Sequence, residues 1–322
     1  MAALIHDGQS LRVEGERERP ALPPGEARIR LRLGGICATD QEITQGYLAF
    51  KGVLGHEFVG DVIECTTPSL LGARVVGEIN CACQACAHCN RGLPAHCSAR
   101  TVLGIQGRDG AFQDSFLLPE RNLHRVPAEI PDEQAVFTEP LAAACRILEQ
   151  VDLEPWQRVA VLGDGKLGSL CALVLAQRSH SVTLFGRHPG RVPFPISVEE
   201  QPPPEQPLPV DRRFELVVEA TGSPAGLEQA LGLVAPLGTL VLKTTTFRAH
   251  ELSLFTQVIN EVSVVGSRCG PFHTALELIK NGSIPLGSLV TDRFPLEEGV
   301  AAMARSKEPG VLKVLLEGPK RQ

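Results

Sequence analysis

Along residues 27–34 (ARIRLRLG), apolar and basic side chains alternate. A period of two predicts a half-exposed strand. Residues 58–64 and 74–79 are further short runs of strand-forming side chains, with turn-forming residues between them. Up to about residue 140 this texture, punctuated by Gly and Pro, predicts an all-β or α+β domain. The pattern then changes. Residues 140–151 place apolar side chains at helical spacing, with no Gly or Pro after the opening Pro140. Residues 158–162 (RVAVL) form an apolar run suited to a buried parallel strand, and 168–178 follow as a helix. Residues 181–185, 214–220, 239–242 and 262–266 read as further strands, with a helix over 225–234. Strands alternating with helices predict βαβ units and a parallel sheet, so the chain is α/β in class. Residues 189–209 break the rhythm, because eight of the 21 are Pro. Proline fixes φ and lacks the amide donor, so an irregular surface excursion, extended in part, is expected there. The polar end, 318–322, is expected to fray.

The chain has 322 residues, enough for about two domains. With 43% hydrophobic and 21% charged residues, global disorder is excluded. The formal charge of -6, without a basic block, argues against nucleic acid as a partner. No run approaches the ~20 apolar residues that span a bilayer, so no membrane partner is expected. The first residues lack the basic-then-apolar pattern of a secretory signal, and a cytoplasmic location is the default expectation. Of ten cysteines, five fall between Cys81 and Cys97, a clustering that points to metal rather than to a disulfide framework.

Three groups of residues carry chemistry. Cys83, Cys86, Cys89 and Cys97 form a C-x2-C-x2-C-x7-C lobe, within residues 81–97. Four thiolates can close a tetrahedron around zinc and leave no open position, so this zinc would be structural. Cys81 is out of phase and reads as a bystander. The alternative is a set of free or disulfide-bonded cysteines. Second, Cys37 stands beside Thr39 and Asp40, while His56 with Glu57 and Glu139 lie further along. One Cys, one His and one Glu would make a three-ligand zinc site with a fourth position open to water or substrate. Spacing alone does not compel that grouping. Third, the 158–162 strand runs into Gly163-Asp-Gly165-Lys166-Leu167-Gly168 and then a helix. This is G-x-G-x-x-G in its required context, with a helix N-terminus facing a pyrophosphate. The strand after it ends in Gly186-Arg187-His188. Dinucleotide folds that take NAD usually place an acid there for the ribose 2′-hydroxyl. An arginine instead favours the 2′-phosphate of NADP(H), with Arg191 assisting. The alternative for Arg187 is a solvated surface charge.

These motifs, in this order, resemble the zinc-dependent medium-chain dehydrogenase/reductase (alcohol dehydrogenase-like) family over nearly the whole chain. The Glu139-Pro140-Leu141-Ala142 stretch is most similar to the branch with threonine, sorbitol and glucose dehydrogenases, and Val217 to Ser223 resembles the family's fourth nucleotide-domain strand and turn. The resemblance implies a GroES-like, β-rich catalytic domain (1–140) rejoined by a return segment (268–322). A Rossmann doubly wound parallel sheet (141–267) lies between them. It implies two zinc ions per chain: a catalytic one on Cys37, His56 and Glu139, and a structural one on Cys83, Cys86, Cys89 and Cys97. Glu57 would sit beside the first, Asp40 would orient the ligand imidazole, and Thr39 would relay the proton of a substrate alcohol. Gly163, Gly165, Lys166, Leu167, Gly168, Gly186, Arg187, Thr221 and Lys313 would bind the coenzyme, Lys313 near the pyrophosphate. The implied reaction moves a hydride between an alcohol or polyol, or the matching carbonyl, and NADP(H). A homodimer or homotetramer is implied as well.

The sequence departs from the family at Glu42, where several relatives have a His in the proton path, and at Ala38, where some have a basic residue. The proline-rich 189–209 segment replaces a helix and strand that flank the adenosine site. Two alternatives stay open: a zinc-free quinone or enone reductase, and a non-catalytic NADPH-binding redox sensor using the spare thiols Cys65, Cys145, Cys171 and Cys269. Residues 41–51 and 104–112 are expected to line or flank the substrate pocket. Tyr47, Phe50 and Phe112 would serve there as apolar walls or as ordinary core.

Overall fold

A computed structural model describes residues 2–15, 17–188, 196–201, 213–245 and 253–319. The chain divides into two compact units, Met1–Glu139 with Phe272–Gln322, and Pro140–Pro271.

The first unit is built on a seven-stranded sheet. Its central strand, Glu26–Gly35, pairs antiparallel with Glu57–Glu64 on one side, and with Ser115–Pro119 and then Lys313–Glu317 on the other. Lys313–Glu317 in turn pairs parallel with Val290–Pro295. The alternation over 27–34 predicts a half-exposed strand; the structure puts this strand in the middle of the sheet with most of its residues buried. Its arginines are tolerated because carboxylates from neighbouring segments answer them. Buried Arg28 pairs with Glu64, Arg30 with Asp61, and Arg32 with Asp132. One core of this unit joins residues that are distant in sequence: Leu4, Ile36, Phe50 and Phe112 pack with Leu296, Met303 and Val314. Phe50 and Phe112 are therefore core, and Tyr47 packs partly buried against them.

The second unit carries a six-stranded parallel sheet. The spatial order is Ser197–Glu200, Ser181–Gly186, Arg158–Leu162, Phe214–Glu219, Val234–Leu242, Ser263–Gly266. Numbered along the chain this is 3-2-1-4-5-6, the doubly wound arrangement. Val159 to Leu162 are fully buried, as expected of a strand covered on both faces. The helix Lys166–Leu175 is buried from Gly168 onward, so its apolar surface runs all round. The helix Pro224–Leu233 starts sharply: Pro224 fits the first turn, and the Ser223 hydroxyl accepts the Gly226 amide at 3.1 Å. Within the proline-rich stretch, Ser197–Glu200 is a regular strand paired with Ser181–Gly186. It avoids every proline of the stretch. Residues 189–195 and 202–209, Arg191 among them, lie outside the described residues, as do 320–322 at the end expected to fray. No helix among the described residues is long and apolar enough to cross a membrane.

Candidate metal and dinucleotide sites

The cysteine lobe contains little regular structure, and its sulfurs nonetheless converge. Ligand atoms of Cys83, Cys86, Cys89 and Cys97 all lie within 4.8 Å of one another. Cys86 and Cys89 sulfurs are 3.5 Å apart, and those of Cys83 and Cys97 are 3.4 Å apart. A tetrahedral zinc with ~2.3 Å bonds has S···S edges of about 3.8 Å, so the lobe fits that ion closely. None of the ten cysteines is in a disulfide. Amides of Cys89 and Ser98 bring the Cys86 thiol down to about 5, while burial and the adjoining sulfurs push Cys89 up to about 11. Cys81 is buried and outside the group.

A second group in the same unit brings together ligand atoms of Cys37, His56 and Glu57 within 4.8 Å. Asp40 organises it from a fully buried position. Its Oδ2 accepts the Cys37 amide at 2.8 Å and its Oδ1 accepts the Gly55 amide at 3.2 Å. The same Oδ1 lies 3.3 Å from His56 Nδ1. That last contact has ion-pair distance but not hydrogen-bond alignment, since Nδ1 has no aligned partner. One carboxylate thus ties together the two loops that carry Cys37 and His56, and turns Nε2 of the ring away from itself. Burial opposes charge on His56, but Asp40 outweighs it and holds the imidazole well above its ordinary value. Glycine is needed before the histidine. Gly55 has φ +99°, and a Cβ there would come within 2.4 Å of the Phe112 ring. Thr39 Oγ1 is 3.9 Å from Cys37 Sγ.

Glu139 and Lys313, the other two residues named for this unit by the resemblance, have the following surroundings. Glu139 is half-buried in the first turn of the helix Thr138–Gln150 and does not join the Cys37–His56–Glu57 group. Lys313, expected near a pyrophosphate, is buried in the first unit with its ammonium paired to Glu57 Oε2. The Ile36 carbonyl is 3.5 Å from that ammonium, and the Phe137 ring centroid 5.4 Å. Gly35 makes room for the pair, because a Cβ there would sit 2.5 Å from Glu57 Oε2.

The glycine turn lies in the second unit, at the point where the strand order reverses. There the carboxyl ends of Arg158–Leu162 and Phe214–Glu219 lie side by side. Gly163 has φ +105°, and its amide donates to the Phe185 carbonyl at 2.8 Å. A Cβ on Gly168 would lie 1.8 Å from the Gly163 carbonyl oxygen, so the helix can approach the strand only with glycine there. Gly165 caps the helix, and Lys166 and Leu167 open it, both half-buried. Across the switch point, buried Glu219 accepts from the Thr221 amide at 2.7 Å and its hydroxyl at 2.6 Å, which fixes that turn. Arg187 is exposed after the second strand. The sequence pattern leaves the end of that strand without an acid, yet the structure brings one there. Asp164, from inside the glycine turn, accepts the His188 amide at 2.8 Å.

Residues 23–128 match the family described as alcohol dehydrogenase GroES-like domain. The erythritol/L-threitol dehydrogenase of Mycolicibacterium smegmatis is 28% identical, over 95% of this chain and 95% of that protein. A putative zinc-binding dehydrogenase from Sinorhizobium meliloti 1021, solved bound to NADP, is 24% identical. It superposes with a TM-score of 0.87, covering 98% of each chain. The rspB alcohol dehydrogenase of Escherichia coli CFT073, solved with NADH, is 25% identical with a TM-score of 0.87, covering 98% of this chain and 99% of its own.

Proposed function

We propose that the chain is a zinc-type medium-chain alcohol dehydrogenase-like oxidoreductase that transfers hydride between an alcohol or polyol and NADP(H), with two zinc ions per chain. The observation that carries this reading is the convergence of Cys37, His56 and Glu57 around a buried Asp40. A thiolate, an imidazole and a carboxylate are the donor set of an open zinc site. Zinc there would supply Lewis acidity toward a substrate hydroxyl, and nicotinamide the hydride acceptor.

The remaining work falls to the chain's own groups. Asp40 sets the spacing of Cys37 and His56 and the orientation of the ring. Thr39, whose hydroxyl lies 3.9 Å from Cys37 Sγ, would pass the alcohol proton outward, as the family resemblance implies. Glu57 supplies the carboxylate inside the group, and Glu139 is the carboxylate that the family resemblance assigns. Cys83, Cys86, Cys89 and Cys97 hold the second ion, which would have no open position. Gly163 to Gly168 and Thr221 receive the dinucleotide at the switch point. Arg187 favours a 2′-phosphate. Polyols fit the named activity of the Mycolicibacterium relative.

Elemental analysis of purified protein tests the reading. About two zinc per chain, falling to about one in Cys37→Ala together with loss of NADP-linked alcohol oxidation, is the expected result. Zinc content in Glu57→Gln and Glu139→Gln identifies the third ligand. About one zinc in both wild type and Cys37→Ala, in protein purified without chelators, would sink the open-site reading.

A further inference from the structure

We propose that Asp164 is a positioning residue for coenzyme choice, holding the 186–188 turn so that Arg187 and His188 together receive the 2′-phosphate of NADP(H). The inference rests on the NADP reading above and adds to it two residues that the G-x-G-x-x-G motif does not specify.

Space comes first. A Cβ on Gly186 would lie 2.4 Å from Asp164 Cβ and 2.8 Å from its Oδ2. Asp164 therefore fills the place that a side chain at the strand end would take, and Gly186 is the residue that admits it. The carboxylate is engaged within the turn. Asp164 is buried, and Oδ2 accepts the His188 amide at 2.8 Å. His188 Nδ1 lies 3.0 Å from Oδ2 and 3.3 Å from Oδ1. Donors from His188 thus engage the oxygens that would otherwise accept from ribose hydroxyls.

The same contacts fix the turn. The Phe185 carbonyl accepts the Gly163 amide, the Gly186 carbonyl accepts the Gln201 amide, both at 2.8 Å, and residue 188 is held by Asp164. Arg187 is bracketed by these anchors, with its own side chain exposed. A carboxylate on Nδ1 also sets the ring's orientation, and the edge bearing Nε2 is turned away from Asp164. The His188 side chain is 46% exposed. An unanswered carboxylate at this spot would repel a phosphate, whereas one engaged by an imidazole and an amide instead orients donors toward it.

The test uses the full chain and two fragments that differ only in the 2′-phosphate, 2′,5′-ADP and 5′-AMP, titrated by calorimetry. Wild type should bind 2′,5′-ADP more tightly. Asp164→Ala and His188→Ala should each weaken 2′,5′-ADP by about tenfold and change 5′-AMP by less than about twofold, the size expected for one charge-assisted contact. Asp164→Asn, which can still accept the amide, should fall between. His188→Ala alters a half-exposed side chain, so it keeps the test open if Asp164→Ala does not fold. Equal weakening of both fragments in Asp164→Ala, with His188→Ala silent, would reduce Asp164 to a structural residue and overturn the proposal. So would a tighter 2′,5′-ADP complex in Asp164→Ala, or a loss confined to 5′-AMP. A wild-type protein that does not discriminate the fragments overturns the NADP reading itself, and this inference with it. A discriminating wild type whose variants discriminate equally well overturns the inference alone.

Discussion

Glu57 and Lys313 are each only 1% exposed, and their charges face each other from segments 256 residues apart. Such a pair contributes little relative to two apolar residues, but breaking it leaves one charge buried and unanswered. Lys313→Met should therefore cost about 3–5 kcal/mol in urea unfolding. Adding Glu57→Gln should recover a large part of that loss, because the second change removes the stranded charge. A single-variant cost below about 1 kcal/mol would mean that water or another group already answers Glu57. The family resemblance names Lys313 for a pyrophosphate, and the fold adds Glu57 as its partner within the first unit. Nothing in the linear sequence says which of two distant partners an amine meets. Cys37 and His56 were legible only as a grouping that spacing does not compel, and Asp40's orienting role came through the family resemblance. Asp164 was not legible, since its partner is reached only once two strands lie side by side. Burial pushes the thiols of Cys145 and Cys171 up, to about 12 and about 11, which disfavours their thiolates at neutral pH.

At the scale of elements, five strands of the second unit and its longer helices followed from apolar runs of the right length, whereas the polar strand Ser197–Glu200 and the short helix Phe255–Ile259 did not. Element ends were set by turn and cap chemistry that the runs do not encode. The helix expected over 168–178 starts at Lys166, because Gly165 already serves as its cap. The strand expected over 239–242 extends back to Val234, across Pro236 and Gly238, because its neighbour Phe214–Glu219 offers a ladder that tolerates a shift of register. Turns can also be held by one side chain. Glu120 accepts the Thr66 hydroxyl at 2.7 Å and the Thr67 hydroxyl at 2.5 Å, together with the amides of both residues. Desolvation works against this carboxylate, but the hydrogen bonds from Thr67 and Thr66 outweigh it and hold it down at about 2. A folded-state value below the ordinary 4.5 means that the stabilisation is present above pH 4.5 and is lost as pH falls toward 2. Glu120→Gln should then be less stable than wild type at pH 7, with the gap narrowing between pH 4.5 and 3. A gap that stays constant over that range would show that the carboxylate's charge plays no part in holding the turn.

At the scale of the whole chain, the second unit is an insertion into the first, whose sheet is completed only when Lys313–Glu317 pairs with Glu26–Gly35. The sequence suggested this through resemblance alone, because hydrophobic pattern does not reveal that residues 296–316 share a core with residues 3–54. The sheet of the second unit ends at Ser263–Gly266, a strand paired on one side only among the described residues. Exposed edges are usually guarded by charge, proline or a bulge. This one reads Ser-Val-Val-Gly and carries none of them. The neighbouring helix Phe255–Ile259 leaves Phe255, Val258 and Ile259 at 72%, 72% and 66% exposure. An unguarded edge beside an apolar helix face suits a second copy related by a two-fold axis, since antiparallel pairing of one strand with itself satisfies both edges and covers both helices. Sedimentation of the wild type should therefore give a dimer. Val264→Lys, which puts a charge on the edge without touching either ligand group, should give a folded monomer that keeps its zinc. A wild type that is monomeric at micromolar concentration, or a Val264→Lys protein that remains dimeric, would show that this edge is not where copies meet.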